Sequence, residues 1–365
     1  MSKFRFLTAG ESHGQALTAI IEGVPAGLSL SENDIKTELL RRQRGYGRGG
    51  RMEIEKDHAQ LLSGVRYGVT LGSPISLLLQ NRDWPNWLNR MATTPVTNPA
   101  PALKMPRPGH ADFAGMVKYR TNDLRNILER SSARETTMRV AVGAIAKKIL
   151  SESGIEIFSH VVRIGSAESP VSALNADYGL ISGNKYDPAK WRNVIRLSEA
   201  SDVACADEQA SRQMKAVIDK ARLAGDSIGG IFEVIATGVP VGLGSHVHWD
   251  RRLDGLIAMA MMSINAMKAV EIGLGSKVGE IPGSQVHDEL FYEEGRGYVR
   301  SRNHAGGLEG GMTNGEPIVV KVAMKPLPTL TRPLRSVDTE TRQAKQAFQE
   351  RADVCAVPAA AVVGE

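Results

Sequence analysis

The chain has 365 residues, 42% of them hydrophobic and 23% charged, with 37 glycines and only 5% aromatics. That composition excludes a disordered, collagen-like or disulfide-framework protein and supplies enough apolar mass for a large core. Residues 1–150 hold 22 basic and 13 acidic side chains, a balance of +9, and the remainder holds 23 and 27, a balance of −4. A basic first half suits nucleic acid, an acidic membrane or a small polyanion. Cys205 and Cys355 are too few for a disulfide framework and fit a reducing compartment. The start lacks a signal-peptide apolar run and no stretch of 18 apolar residues occurs. A cytoplasmic protein without a membrane span is therefore expected.

Taken in chain order, Gln15 to Glu22 reads as a strand running into Gly-Val-Pro-Ala-Gly-Leu, a turn in which proline presets φ. Ser31 to Arg44 reads as an amphipathic helix with a Ser start and a basic end. Arg41 to Arg51, RRQRGYGRGGR, packs five Arg and four Gly into a loop. Gly72-Ser73-Pro74 turns the chain into a strand at Ile75 to Gln80. Thr94 to Gly109, with five prolines, reads as a second loop. Ala133 to Leu150 and Leu253 to Val270 read as helices apolar nearly all round, which must be covered on more than one side. The stretch Ser166 to Ala206 reads as irregular.

An internal repeat organises these elements. Glu11 to Leu28 and Asp226 to Leu243 are identical at 8 of 18 aligned positions, ending in Gly-Val-Pro-x-Gly-Leu. Gly68 to Gln80 and Gly311 to Ala323 follow in the same order and share G-x-T-x-G-x-P-I. Two copies are too few for a solenoid. The expected fold is α+β, a β-α-β sandwich with central helices layered between antiparallel sheets and an internal pseudo-two-fold repeat. Residues 1–365 are expected to form a single domain with repeat halves near 1–150 and 220–350.

Several residues suit chemistry. The Arg/Gly stretch lets backbone approach a ligand while Arg donates to phosphate or carboxylate. An RNA-binding segment would resemble it, but would interleave more aromatics than Tyr46. His13, in Gly-Glu-Ser-His-Gly, and His110, in Arg-Pro-Gly-His, are candidate general acids or bases. The repeat singles out His13, since its counterpart is Ile228 and the scaffold accepts an apolar residue there. His246 and His248 lack a third ligand at metal spacing, so no metal is expected. Arg130 to Thr136, RSSARET, opens a helix whose N–H groups favour an anion. Arg351 and Asp353 read most simply as a salt bridge.

The blocks GESHG, EGVPAG, RPGHAD, ERSSARET, MSINAMKAVEIG, NHAGGLEGG and RADVCAVPAA occur in this order from about Arg5 to the end of the chain. Together they resemble the chorismate synthase family. The resemblance implies anti-1,4-elimination of phosphate from 5-enolpyruvylshikimate 3-phosphate to give chorismate in the shikimate pathway. It also implies a need for reduced FMN, with NADPH a candidate reductant, and a homotetramer without nucleic-acid or membrane partners. By the same resemblance His13 protonates the departing phosphate, His110 supplies or holds a proton at the flavin, and Asp353 assists proton acceptance. Ser12, Arg42, Arg48, Arg107 and Arg134 then bind substrate. Arg130, Ser131, Ser132, Asn265, Ala266, Gly310, Lys325, Pro326, Leu327, Pro328, Thr329 and Arg351 bind flavin. Pro328 stands where the family carries Ser or Thr, and Ala352 where it carries Ser or His. The family usually continues from the last block into a helix, which leaves open whether a segment follows Glu365.

Overall fold

In the computed structural model, which describes residues 4–50, 54–174, 181–182, 185–186, 188–295, 297–350 and 353–365, the chain folds as α+β. It divides into two units. The first comprises Met1–Ile149, Ala221–Ser227 and Leu327–Val354; the second comprises Leu150–Lys220, Ile228–Pro326 and Cys355–Glu365.

The first unit carries an antiparallel sheet of β1 (Arg5–Ala9), β2 (Ala16–Glu22), β3 (Gln60–Leu61) and β4 (Ile75–Gln80), in the order β1-β2-β4-β3. Side chains alternate across a strand, so Leu17, Ala19 and Ile21 of β2 and Ile75, Leu77 and Leu79 of β4 are buried on one face. Helix α1 (Glu32–Gln43) buries Ile35, Leu39 and Arg42, one stripe at helical spacing. The Ser31 N–H and hydroxyl both donate to the Asp34 carboxylate and fix the helix start where the sequence places it. Helices α2 (Asp112–Tyr119), α3 (Arg125–Ser131) and α4 (Thr136–Ser151) follow. In α4, residues 136–145 are buried except Arg139 and Gly143, the all-round cover its composition demands.

The second unit is built on β5 (Glu156–Ile164), β6 (Ala167–Glu168), β7 (Gly230–Thr237), β8 (Met267–Ile272) and β9 (Ile318–Met324), antiparallel in the order β8-β9-β7-β5-β6. Its longer helices are α5 (Pro188–Ala200), α6 (Glu208–Leu223), α7 (Leu253–Met262) and α8 (Val357–Gly364), the last packed on β5 and β7. Phe158, Val171, Trp191, Ile235 and Val319 are among the buried residues of its core.

The repeated motifs fold alike in each unit. Leu17 pairs with Leu79 on β2 and β4, and their sequence counterparts Phe232 and Val322 pair on β7 and β9. Thr70 donates its hydroxyl to Pro25 O at 2.6 Å and accepts from Leu28 N at 3.0 Å. Thr313 donates to Pro240 O at 2.6 Å and accepts from Leu243 N at 2.8 Å. The Thr of G-x-T-x-G therefore locks the Gly-Val-Pro turn, because a buried hydroxyl needs partners and the turn offers a free carbonyl and N–H.

Three expectations are corrected. The helix expected over Leu253 to Val270 stops at Met262; Ala266 turns the chain with φ +71°, and Met267–Ile272 is a strand. Ser263 and Asn265, poor helix formers, interrupt the apolar run. Nor is α7 covered all round by the described residues: Met261 is buried, whereas Met259 is 66% and Met262 47% exposed. The stretch Ser166 to Ala206 contains α5, opened by Pro188, with Trp191, Val194 and Ser198 buried on one stripe.

Candidate active site

The Gly-Glu-Ser-His-Gly turn between β1 and β2 is pinned from both sides. Gly10 has φ +107°, and a Cβ there would lie 2.4 Å from Ala16 O, so the position requires glycine. Asn81, just past β4, donates to Gly14 O at 2.8 Å and to Glu11 O at 3.2 Å. From α3, Glu129 O accepts Ser12 N–H at 3.1 Å. The Glu129 carboxylate accepts His13 N–H at 2.8 Å and faces His13 Nδ1 with both oxygens at 3.0 Å. Arg125, one helical turn earlier, donates to the same carboxylate at 2.7 Å. Burial raises the carboxyl pKa of Glu129, but the bonds and charge of His13, with Arg125, outweigh it and hold the group below its ordinary value. The buried His13 ring stacks on Trp87, centroids 3.8 Å apart, and Trp87 Nε1–H donates to Asp83.

A cation cluster lies next to this turn. Ser132 donates its hydroxyl to Ser12 Oγ at 3.1 Å, and the adjacent Ala133 O accepts from Arg42 Nη2 at 2.8 Å. Arg42 also donates to Thr136 Oγ1, yet its buried Nη1 has no hydrogen-bond partner. Burial, then the charge of Arg48, pushes the Arg42 guanidinium down to about 9; Asp57 raises it, Arg134 lowers it and Asp353 raises it. A guanidinium in that condition favours an incoming anion. Arg134, in contrast, spends donors internally on Asn81 Oδ1 (3.0 Å), Asp57 (2.6 Å) and Glu55 (3.3 Å). Those acceptors fix the orientation of the Arg134 guanidinium.

The Arg/Gly stretch is anchored to the end of the same unit. Asp353 accepts Gly49 N–H at 2.7 Å and pairs with Arg48 Nη1 at 3.1 Å, and Gly47 O accepts Val354 N–H. Among the described residues Asp353 pairs with Arg48; Arg351, read from sequence as its mate, lies outside them, as does Ala352. At the end of the Pro-rich loop, Asp112 bonds His110 Nδ1 and accepts from Arg107 Nε at 2.9 Å. Arg107 also donates to Thr329 Oγ1 at 2.8 Å. Although burial raises the Asp112 carboxyl, bonds from His110 and Arg107 drive it well below the usual carboxylate range.

The residues assigned to flavin divide between the units. Arg130 donates to Thr8 and Gly10 O, and the Ser131 hydroxyl bonds back to Ile127 O within α3. Leu327 O accepts from Ser227, and Pro328 precedes Thr329 in the same unit. Asn265, Ala266, Gly310, Lys325 and Pro326 belong to the second unit. There Lys325 N–H donates to Ala266 O, and Gly310, at φ +60°, has open space where a Cβ would stand. Burial and the charge of Lys268 push the Lys325 ammonium down.

Residues 4–365 match the family model for chorismate synthase. The chain is 57% identical over 362 residues to chorismate synthase of Aquifex aeolicus, covering 99% of this chain and 89% of that one. Against the Bacillus subtilis enzyme the identity is 54% over 366 residues, 99% of this chain and 90% of that one. A crystal structure of chorismate synthase superposes with a TM-score of 0.76 at 46% identity, covering all of this chain and 88% of the other. The chain belongs to the chorismate synthase family. It is accordingly a carbon–oxygen lyase of the shikimate pathway, eliminating phosphate from 5-enolpyruvylshikimate 3-phosphate to give chorismate.

For a chorismate synthase, four side chains escape a reading of the sequence: Glu129, Trp87, Asp112 and Asn81. Asp112, two residues after His110, has a local spacing signal. Glu129 and Trp87 reach His13 across 116 and 74 positions, separations that only the fold closes. Among the described residues, no helix is long and apolar enough to cross a membrane.

Proposed function

We propose that His13 is the general acid that protonates the departing phosphate, with Arg42 and Arg48 seating the substrate's anionic groups beside it. The observation that carries this reading is the buried Nη1 of Arg42, which has no hydrogen-bond partner among the described residues and only the Asp57 carboxylate at 3.8 Å, joined through the consecutive Ala133 and Ser132 to the Ser12–His13 turn. Elimination of phosphate needs a proton for a leaving oxygen and positive charge where negative charge develops. Glu129 at Nδ1 directs proton donation through Nε2. His110, held by Asp112, and Asp353, held by Arg48, are the further proton-handling groups, and Arg107 adds charge next to His110.

Reduced FMN is the proposed cofactor, and when bound it supplies an electron-rich ring that stabilises charge as phosphate leaves. Lys325, lowered by burial and Lys268, fits an anionic group such as the flavin phosphate, and the open side of Gly310 leaves room for a ring. NADPH is the candidate reductant. The proposed architecture is one domain, a β-α-β sandwich with central helices and a pseudo-two-fold repeat; the matched strand registers and Thr bridges support the repeat. A cytoplasmic homotetramer is the proposed assembly, supported by the exposed apolar side chains of α7 and by Leu7, 72% exposed on β1.

His13→Ala should slow anaerobic phosphate release, assayed with reduced FMN, about 100-fold or more while the fold persists. Wild-type turnover in this variant would remove His13 from the mechanism.

A further inference from the structure

We propose that Glu129 is the positioning residue for His13: it selects the ring tautomer and, with Trp87 as a platform, aims Nε2 at the leaving group. The inference rests on the reading of His13 as proton donor and adds what prepares it.

Three donors converge on the Glu129 carboxylate: His13 N–H at 2.8 Å, His13 Nδ1 at 3.0 Å from each oxygen, and Arg125 Nη1 at 2.7 Å. Glu129 is buried, so water does not supply a substitute acceptor. A carboxylate accepts from all three; an amide offers one oxygen and turns an N–H₂ toward the rest. With a carboxylate opposite, Nδ1 must carry its proton in both the neutral and the charged ring, and Nε2 is the nitrogen that gains and loses one. Trp87 limits the remaining freedom. Its ring lies 3.8 Å from the imidazole at an interplanar angle of 22° and is fixed by its own Nε1–H to Asp83 Oδ2 at 3.0 Å. The charged groups around the pair are Arg125 and Arg90, both over Trp87, and Glu350, 3.8 Å from Arg125. Of these, Glu129 is the one whose acceptor oxygens reach the imidazole.

Glu129→Gln tests this. The amide leaves one oxygen and sets one N–H₂ at the two positions that each lie 3.0 Å from Nδ1, so the carboxylate's charge and second acceptor are lost and the N–H₂ favours an unprotonated Nδ1. With ¹⁵N-labelled histidine, the signal lost in His13→Ala identifies the ring. Wild type should show the Nδ1–H tautomer at high pH and Glu129→Gln the Nε2–H tautomer. In the same preparation kcat should fall about 100-fold or more with KM within about threefold, and the melting temperature should hold. An unchanged tautomer, or a loss of KM and melting temperature in step with kcat, would reduce Glu129 to scaffold. Should Glu129→Gln fail to fold, Arg125→Gln serves: it removes the competing donor and leaves the carboxylate, so the Nδ1–H tautomer must persist, and its loss would overturn the proposal. Normal turnover in His13→Ala would end the reading of His13 as acid, yet the tautomer measurement would still decide what Glu129 does.

Discussion

At the scale of single residues, the pairing of Arg48 with Asp353 ties a residue assigned to substrate to one assigned to proton acceptance. Asn at 353 keeps the shape and can still accept from Gly49 N–H, but carries no charge and is a poor proton acceptor. Asp353→Asn should leave substrate and flavin binding near normal while kcat falls more than KM. If Asp353 only clamps the Arg/Gly stretch, the same variant will lose melting temperature and substrate affinity together with rate. Arg48→Ala should weaken substrate binding by roughly 1.5–3 kcal/mol, the size of a charged hydrogen bond, and Arg48→Lys should not restore it because the forked donor geometry is gone. Identical substrate Kd values for wild type and both variants would leave Arg48 with no role beyond Asp353. The buried Arg42 next to it cannot be substituted as cleanly, since its donors also hold Ala133 O and Thr136.

At the scale of elements, the Thr that closes each Gly-Val-Pro turn has an expected cost. Thr70→Val keeps shape but leaves the buried Leu28 N–H without its acceptor and removes the hydroxyl from the more exposed Pro25 O. The unsatisfied N–H should destabilise by about 1–3 kcal/mol, read from urea unfolding. A change within error would mean that water replaces the hydroxyl. The motif was legible as a turn because Gly, Pro and Thr act locally, and strand Ile75–Gln80 and helix Glu32–Gln43 were legible because period 2, and Ser31 with Asp34, are local signals too. The helix expected over Leu253 to Val270 is split because the short apolar stretch after Ser263 and Asn265 fits a helix or a strand equally well. Helix Pro188–Ala200 was missed although Pro188 at its start was a signal. In the site, the histidines and the Arg/Gly stretch stood out by residue type. Their partners did not: Asp353 meets Gly49 across 304 positions, and no spacing rule joins Glu129 to His13.

At the scale of the whole molecule, acid sensitivity follows from buried carboxylates. Burial raises the Glu233 carboxyl, but the bond and charge of His160, Ala173 N–H and the Ser172 hydroxyl bring it down to about 2, against an ordinary 4.5. A folded-state pKa below the unfolded one stabilises above about 4.5, and that stability is lost as pH falls toward 2. Asp112 and Glu129 are lowered as well and act in the same direction. The urea midpoint should therefore drop between pH 5 and 3, and Glu233→Gln should flatten that drop while lowering stability at neutral pH. An equal slope in both proteins would show that Glu233 does not contribute to it. The Thr bridge, finally, gives this polypeptide an internal reference. Thr70→Val and Thr313→Val are one chemical change in one turn, made twice under identical solvent and temperature. Amide hydrogen exchange at Leu28 and Leu243, whose N–H groups the two hydroxyls accept, would then read local opening copy by copy. Any difference between them measures how tightly each copy is coupled to its surroundings, a comparison that otherwise needs two proteins.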